Sequence, residues 1–428
     1  MRLNVETTVL PGGVKVATAQ MAGLESLAVG VWAAVGSRYE KARQGGLCHF
    51  LEHMLFKGSR RRSAREISKA IEGRGGYFNG FTQEESTCYY ARLAAEHGGE
   101  ALDILLDMYR HPRLDPADIE KERGVILEEI LMCRDQPGQL VQDLLGELVW
   151  VAHPLGRPLL GTADTVRRIT RQDLLSFQRR HYVPGNTLVV LAGKVRHDEC
   201  VRRVSRALGR WPHQPLPSCQ PVGRAIPQKD VAVQSKEIEQ AHLVLAFRLF
   251  GRHDPRRYAL KLASILLGEN MSSRLFQAVR EKRGLAYSIQ SSVQLFDETG
   301  LLCVQAGMDP GRLPRALEVT LAEIARLRDR PVSASELQRA KDYARGQVHI
   351  GMESASNQMM WVGENLLSYG CVMQPDEAIG RLEAVTAEDV LSVLQQVISR
   401  RRLSTALVSP GEAVRHAEMI RQRVTRLG

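Results

Sequence analysis

Residues 49–53 read His-Phe-Leu-Glu-His. On a helix, positions i, i+3 and i+4 share a face, so His49, Glu52 and His53 project the same way. Two imidazoles one turn apart can hold a single zinc ion, and the carboxylate between them can take a proton from a water on that ion. The order is H-x-x-E-H, the inversion of the zincin motif. Leu47, Phe50, Leu51, Met54 and Leu55 fall on the other faces and can seat the helix in a core. A plainer reading makes His49 and His53 ordinary histidines of an amphipathic helix, so the zinc reading needs a third ligand.

A second helix offers one. Asp115-Pro116-Ala117-Asp118 is a helix start, with Asp at the N-cap, Pro at the first helical position and an acid in the first turn. Along that helix Glu122, Ile126, Glu129 and Cys133 form one stripe, at steps of 4, 3 and 4 residues. Glu129 is the candidate third ligand, and Glu122 the carboxylate that holds an imidazole N–H. Glu128 points about 100° away and is the poorer choice. Cys133, one turn beyond Glu129, is a rival ligand as well as a candidate small buried thiol, and the sequence leaves that choice open.

The elements that must position these helices alternate with strands. Val14–Ala19, Ser26–Val35, Thr87–Leu93 and Asn186–Ala192 carry strand patterns. Near mid-chain, Trp211–Pro227 holds five prolines in 17 residues and reads as an extended linker. The segments around it repeat in order. Residues 101–104, 114–119 and 169–174 match 316–319, 332–337 and 385–390 at offsets of 215, 218 and 216. The expected architecture is α+β: two homologous domains, each a mainly antiparallel sheet with helices packed on one face. Their expected bounds are 1–210 and 231–428, joined by a linker over 211–230. At an offset of 218, His53 maps to Met271 and Glu129 to Gln347, so the second copy cannot build the same metal site.

Composition limits the alternatives. The chain has 428 residues, a formal charge of +10, 44% hydrophobic and 25% charged residues. Those fractions exclude disordered, collagenous and disulfide-scaffold classes. No apolar run approaches the ~20 residues that span a bilayer, so no membrane partner is expected. The start, Met1-Arg2-Leu3-Asn4-Val5-Glu6, has no basic segment leading into an apolar one and reads as a mature cytoplasmic chain. Seven cysteines without a CxxC pair suit free thiols in a reducing compartment. The positive charge invites a nucleic-acid reading. Many basic residues sit beside acids, as in Glu120-Lys121-Glu122-Arg123, and no aromatic-basic platform accompanies them, so no nucleic-acid partner is expected.

These motifs together resemble the pitrilysin/insulinase family of zinc metallopeptidases, most closely the branch that includes mitochondrial processing peptidase. The resemblance rests on GGLCHFLEHMLFKGS (45–59), GGYFNGFTQEESTCYYARL (75–93), EKERGVILEEI (120–130), HPLGRPLLG (153–161) and SSRLFQAVREKRGLAYSI (272–289). It implies one zinc per chain on His49, His53 and Glu129, with Glu52 as general base and Glu122 as supporting acid. It implies that Phe78, Asn79, Gly80, Phe81 and Thr82 form an edge strand that takes an extended peptide through backbone hydrogen bonds. Arg280 and Tyr287 would orient the scissile carbonyl and stabilise its developing charge. Without the resemblance, Arg280, Lys282 and Arg283 read as basic residues suiting a helix C-terminus before Gly284. The family architecture implies a clam-shell of four such units, hence a homodimer, acting on peptide substrates. A non-catalytic subunit is the competing expectation, and the intact H-x-x-E-H with Glu129 argues against it.

Overall fold

The strand stretches of the first half pair into one sheet. A computed structural model describes residues 2–223 and 229–425. The first-half strands are β1 (Asn4–Val9), β2 (Lys15–Gln20), β3 (Ser26–Ala33), β4 (Tyr77–Thr82), β5 (Thr87–Ala94) and β6 (Thr187–Gly193), in the order β1-β2-β6-β3-β5-β4. Four of the six match the expected stretches to within two residues at each end. Strand β1 reads Asn-Val-Glu-Thr-Thr-Val with little buried, so it carries no core pattern to announce it.

The second sheet comprises β7 (Val231–Ser235), β8 (Ala241–Phe250), β9 (Ser288–Leu295), β10 (Thr299–Met308) and β11 (Leu403–Ser409), in the order β7-β11-β8-β10-β9. It reproduces the first sheet without β1. In each, one pair is parallel, β2 with β6 and β7 with β11, and the pairs that follow are antiparallel. Each sheet is thus mainly antiparallel, and the overall class is α+β. The duplication seen at an offset near 216 residues is a duplication of topology.

Two compact units contain these sheets. The first is Met1–Leu131, Arg157–Gln220 and His349–Asp376; the second is Met132–Gly156, Pro221–Val348 and Glu377–Gly428. They differ from a contiguous division into 1–210 and 231–428 by an exchange of two helices. Helix Ala355–Tyr369 belongs to the first unit and packs on β3 and β6, burying Met359 and Val362. Helix Pro137–Val149 belongs to the second unit, where Val141, Leu145, Leu148 and Val149 meet Val244, Ala246, Ala406 and Val408. Each such side chain is worth about 1.5–3 kcal/mol once removed from water. The cause is visible in β3, where Leu27–Ala33 is buried without alternation. A strand apolar on both sides needs cover on both sides. The main helical layer covers one face of each sheet, and the exchanged helix covers the other.

Residues 212–223 of the proline-rich join have no regular secondary structure, and 224–228 lie outside the described residues. None of the seven cysteines is in a disulfide. Among the described residues no helix is long and apolar enough to cross a membrane.

Candidate metal centre

Helix Leu47–Leu55 is short and almost wholly buried. Its hydrophobic faces, Leu47, Phe50, Leu51, Met54 and Leu55, are all within the core of the first unit. Its start is fixed by Gly46 at φ +88, a left-handed conformation that favours glycine. A Cβ there would also lie 2.3 Å from the Leu160 carbonyl oxygen.

Glu40 completes the start of this helix. Its Oε2 accepts from the Gly46 N–H at 2.9 Å and its Oε1 from the Cys48 N–H at 2.6 Å. A carboxyl at a helix N-terminus satisfies donors that have no partner within the helix. Burial pushes the Glu40 pKa up to about 8, against the lowering pull of those two bonds. The folded value lies above the ordinary 4.5, so the folded chain holds this proton more tightly than the unfolded one. Its contribution to stability is therefore full below pH 4.5 and declines as pH rises to about 8. Glu40→Gln is expected to flatten the fall in melting temperature across that window. An unchanged slope would mean that another group titrates there.

The three candidate ligands converge. His49, His53 and Glu129 each offer one ligand atom, and these atoms lie within 4.8 Å of one another. Glu129 Oε2 stands 3.6 Å from His49 Nε2 and 3.7 Å from His53 Nε2. Those spans are too long for hydrogen bonds. Zinc bonds of about 2.0–2.1 Å in a tetrahedron set ligand atoms about 3.3–3.4 Å apart, close to what is seen. Glu129 Oε2 is buried and makes no hydrogen bond among the described residues. A buried carboxylate oxygen facing two imidazole nitrogens across such gaps fits a cation between them. Cys133 is not a member of this group.

The histidines are prepared for that task in different ways. Burial, and then the nearness of His53, lower the His49 pKa to about 3, which keeps the ring in the neutral, ligating form. His53 Nδ1–H donates to Glu122 Oε2 at 3.0 Å, leaving Nε2 as its lone-pair atom. Glu122 is buried and is also paired through Oε1 with Lys57 Nζ at 2.5 Å. Glu128 is exposed whereas Glu129 is half-buried, as the helical stripe requires.

Glu52 lies on the same helix face. Its Oε2 accepts from the Thr82 hydroxyl at 2.5 Å, and burial raises its pKa above the usual carboxylate value. Strand β4 passes close over it: a Cβ on Gly80 would lie 3.2 Å from Glu52 Oε1. Only glycine leaves that oxygen uncrowded. The strand stands at the edge of its sheet, paired on one side with β5. Phe78 and Phe81 are half-buried, and Phe78 packs against Phe56. Asn79 donates from Nδ2 to Tyr77 Oη and accepts from the Gly80 N–H.

Arg280 and Tyr287 lie in the second unit. The guanidinium stands 5.8 Å from the Tyr287 ring centroid, and the tyrosine is 74% exposed. Sequence reasoning missed three supporting groups. Thr82 was expected to serve through its backbone, yet its hydroxyl holds Glu52. Lys57 and Glu40 carried no signal, because their partners are set by tertiary contact and not by spacing.

The family model described as Insulinase (Peptidase family M16) matches residues 15–163, and the one described as Peptidase M16 inactive domain matches 168–343. An uncharacterized zinc protease of Streptomyces coelicolor is 38% identical over 413 residues, 95% of this chain and 90% of its own length. One from Bacillus subtilis is 35% identical over 400 residues, 93% of this chain and 96% of its own. The crystal structure of a protease from Helicobacter pylori superposes with a TM-score of 0.89 at 20% identity, covering 96% of this chain and 100% of that one. At that identity the superposition speaks for the fold.

Proposed function

The chain belongs to the insulinase family of M16 peptidases, and from that premise we propose that it is a zinc-dependent endopeptidase hydrolysing unfolded peptides or presequence-like segments. The observation that carries the reading is the meeting of His49, His53 and Glu129 beside a Glu52 held by Thr82. Those three residues would hold one zinc per chain, which when bound would lower the pKa of a water toward ~7 and polarise the peptide carbonyl. Glu52 takes the proton of the attacking water and returns it to the leaving amine. Thr82 fixes one Glu52 oxygen and leaves the other toward β4. Glu122, steadied by Lys57, keeps His53 in the tautomer that ligates.

The free edge of β4, residues 78–82, binds the substrate backbone as an added strand. Arg280 and Tyr287 hold the scissile carbonyl and its developing charge. Arg280→Ala is expected to cut kcat by roughly 10²–10³-fold with a smaller change in KM, the loss typical of one removed oxyanion donor. An unaltered kcat would leave Arg280 to its plainer role at a helix end.

The same reading has two cytoplasmic chains pair to enclose a clam-shell chamber, which admits unfolded peptides and excludes folded proteins by size. The deciding experiment combines metal analysis, sedimentation mass and a mass-spectrometric cleavage map on a peptide library. Stoichiometric zinc, a two-chain mass and EDTA-sensitive cleavage are expected. A metal-free chain without cleavage would return the protein to the class of non-catalytic subunits.

A further inference from the structure

Just beyond the metal-motif helix, the chain makes a turn dense in arginine. Ser59-Arg60-Arg61-Arg62 closes through the Ser59 N–H to the Arg62 carbonyl at 2.8 Å. The turn is tied to the segment after helix Gly98–Arg110 by Arg60 N–H to the His111 carbonyl and Arg113 N–H to the Gly58 carbonyl. Beneath it, buried Asp107 accepts from Ser59 Oγ at 2.5 Å and from Arg62 Nη1 at 3.4 Å. Helix Arg171–His181 forms the far wall, with Gln178 pinned to the Tyr109 carbonyl at 3.1 Å.

Between these elements lies a cleft of about 660 Å³, within the usual range for small-molecule sites. Six arginines line it: Arg60, Arg61, Arg62, Arg110, Arg113 and Arg179. The nearby acids are fewer. Asp107 serves Arg61 and Arg62, Asp115 serves Arg113, and Glu66 is engaged in capping the next helix at Ser63. Among the described residues the Arg60, Arg110 and Arg179 guanidinium groups make no hydrogen bond or ion pair. Arg110 is nonetheless held, stacked 4.2 Å from the Trp211 ring centroid, with its N–H donors left over.

Like charges gathered in a concave site repel one another, and a bound anion relieves that repulsion. Arginine, whose planar fork matches phosphate in a bidentate way, suits this better than lysine. The hydrogen-bonded turn fixes the backbone of three of the six before a ligand arrives, which lowers the entropic cost of binding. The cleft's volume, within the small-molecule range, favours a compact ligand over an extended membrane surface. We infer that this cleft is a binding site for a compact oligophosphate, read through its phosphate chain.

The test is calorimetric titration of the full-length chain with sodium tripolyphosphate and, in a second arm, ATP, both at constant ionic strength of about 0.15 M. Saturable binding of both, of similar strength, is expected. Arg60→Ala/Arg179→Ala should weaken it by roughly 10-fold per arginine removed. Both residues are exposed and unpaired, so the fold should survive. Arg61→Ala/Arg113→Ala is the independent second variant and should weaken binding in the same direction. No saturable binding, wild-type affinity in either double variant, or binding of ATP but not of tripolyphosphate would each overturn the inference.

Discussion

Glu52→Gln is expected to leave zinc bound at one per chain while lowering kcat by about 10²–10⁴-fold, the range for loss of a general acid–base. Glutamine has nearly the shape of glutamate, and its carbonyl oxygen can still accept from the Thr82 hydroxyl that now lies 2.5 Å from Glu52 Oε2. Helix Leu47–Leu55 and its contacts therefore remain. What is lost is the carboxylate proposed to take and return the proton. Because the ligands are untouched, metal content and KM should change little, and the loss should fall on kcat. The assay is hydrolysis of a quenched peptide alongside zinc determination on the same sample. Full activity in the variant would remove Glu52 from the chemistry, and loss of zinc would mean that the substitution had disturbed His49 or His53 instead.

His49→Ala is expected to abolish stoichiometric zinc and all measurable cleavage. A site with two histidines and a carboxylate loses a third of its protein ligands, among them the imidazole that burial keeps neutral. Glu122→Gln is the graded partner of this experiment. It keeps all three proposed ligands but replaces the carboxyl acceptor of His53 Nδ1–H, so metal affinity should fall by about 10–100-fold, the usual cost at such a position. Competition against a chromophoric chelator separates the two variants, and thermal unfolding shows whether each is folded. Wild-type zinc affinity in His49→Ala would sink the ligand set. Equal loss in both variants would place Glu122 among the ligands.

Much of this centre was legible because helix periodicity is a strong local signal. Positions 49, 52 and 53 share a face by arithmetic alone, and the same arithmetic preferred Glu129, now half-buried, over the exposed Glu128. The topology was legible through the internal repeat, which the order of the two sheets reproduces strand for strand apart from β1. What was not legible depends on contacts that no spacing encodes. Thr82 reaches Glu52 across 30 residues, and Lys57 reaches Glu122 across 65, so neither pair has a sequence signature. The apolar face of helix Pro137–Val149 announces that something must cover it. It does not say that the cover is a sheet built largely from residues beyond 230. The unbroken apolar run in β3 did carry information: a strand buried on both faces implies two layers of helix, and helices on one face could not supply both.

The exchange of helices also sets a timetable for biosynthesis. The last strand of the first sheet ends at Gly193, but the helix that covers that sheet's second face ends at Tyr369, 176 residues later. At about 5–20 residues per second, a ribosome takes roughly 9–35 s to cross that interval. Throughout it the nascent first unit carries an uncovered apolar sheet face. A chain interrupted in that interval has already made His49, His53 and Glu129 but lacks the helix that closes their unit. The order of synthesis thus leaves the first sheet covered on one face only until most of the protein exists.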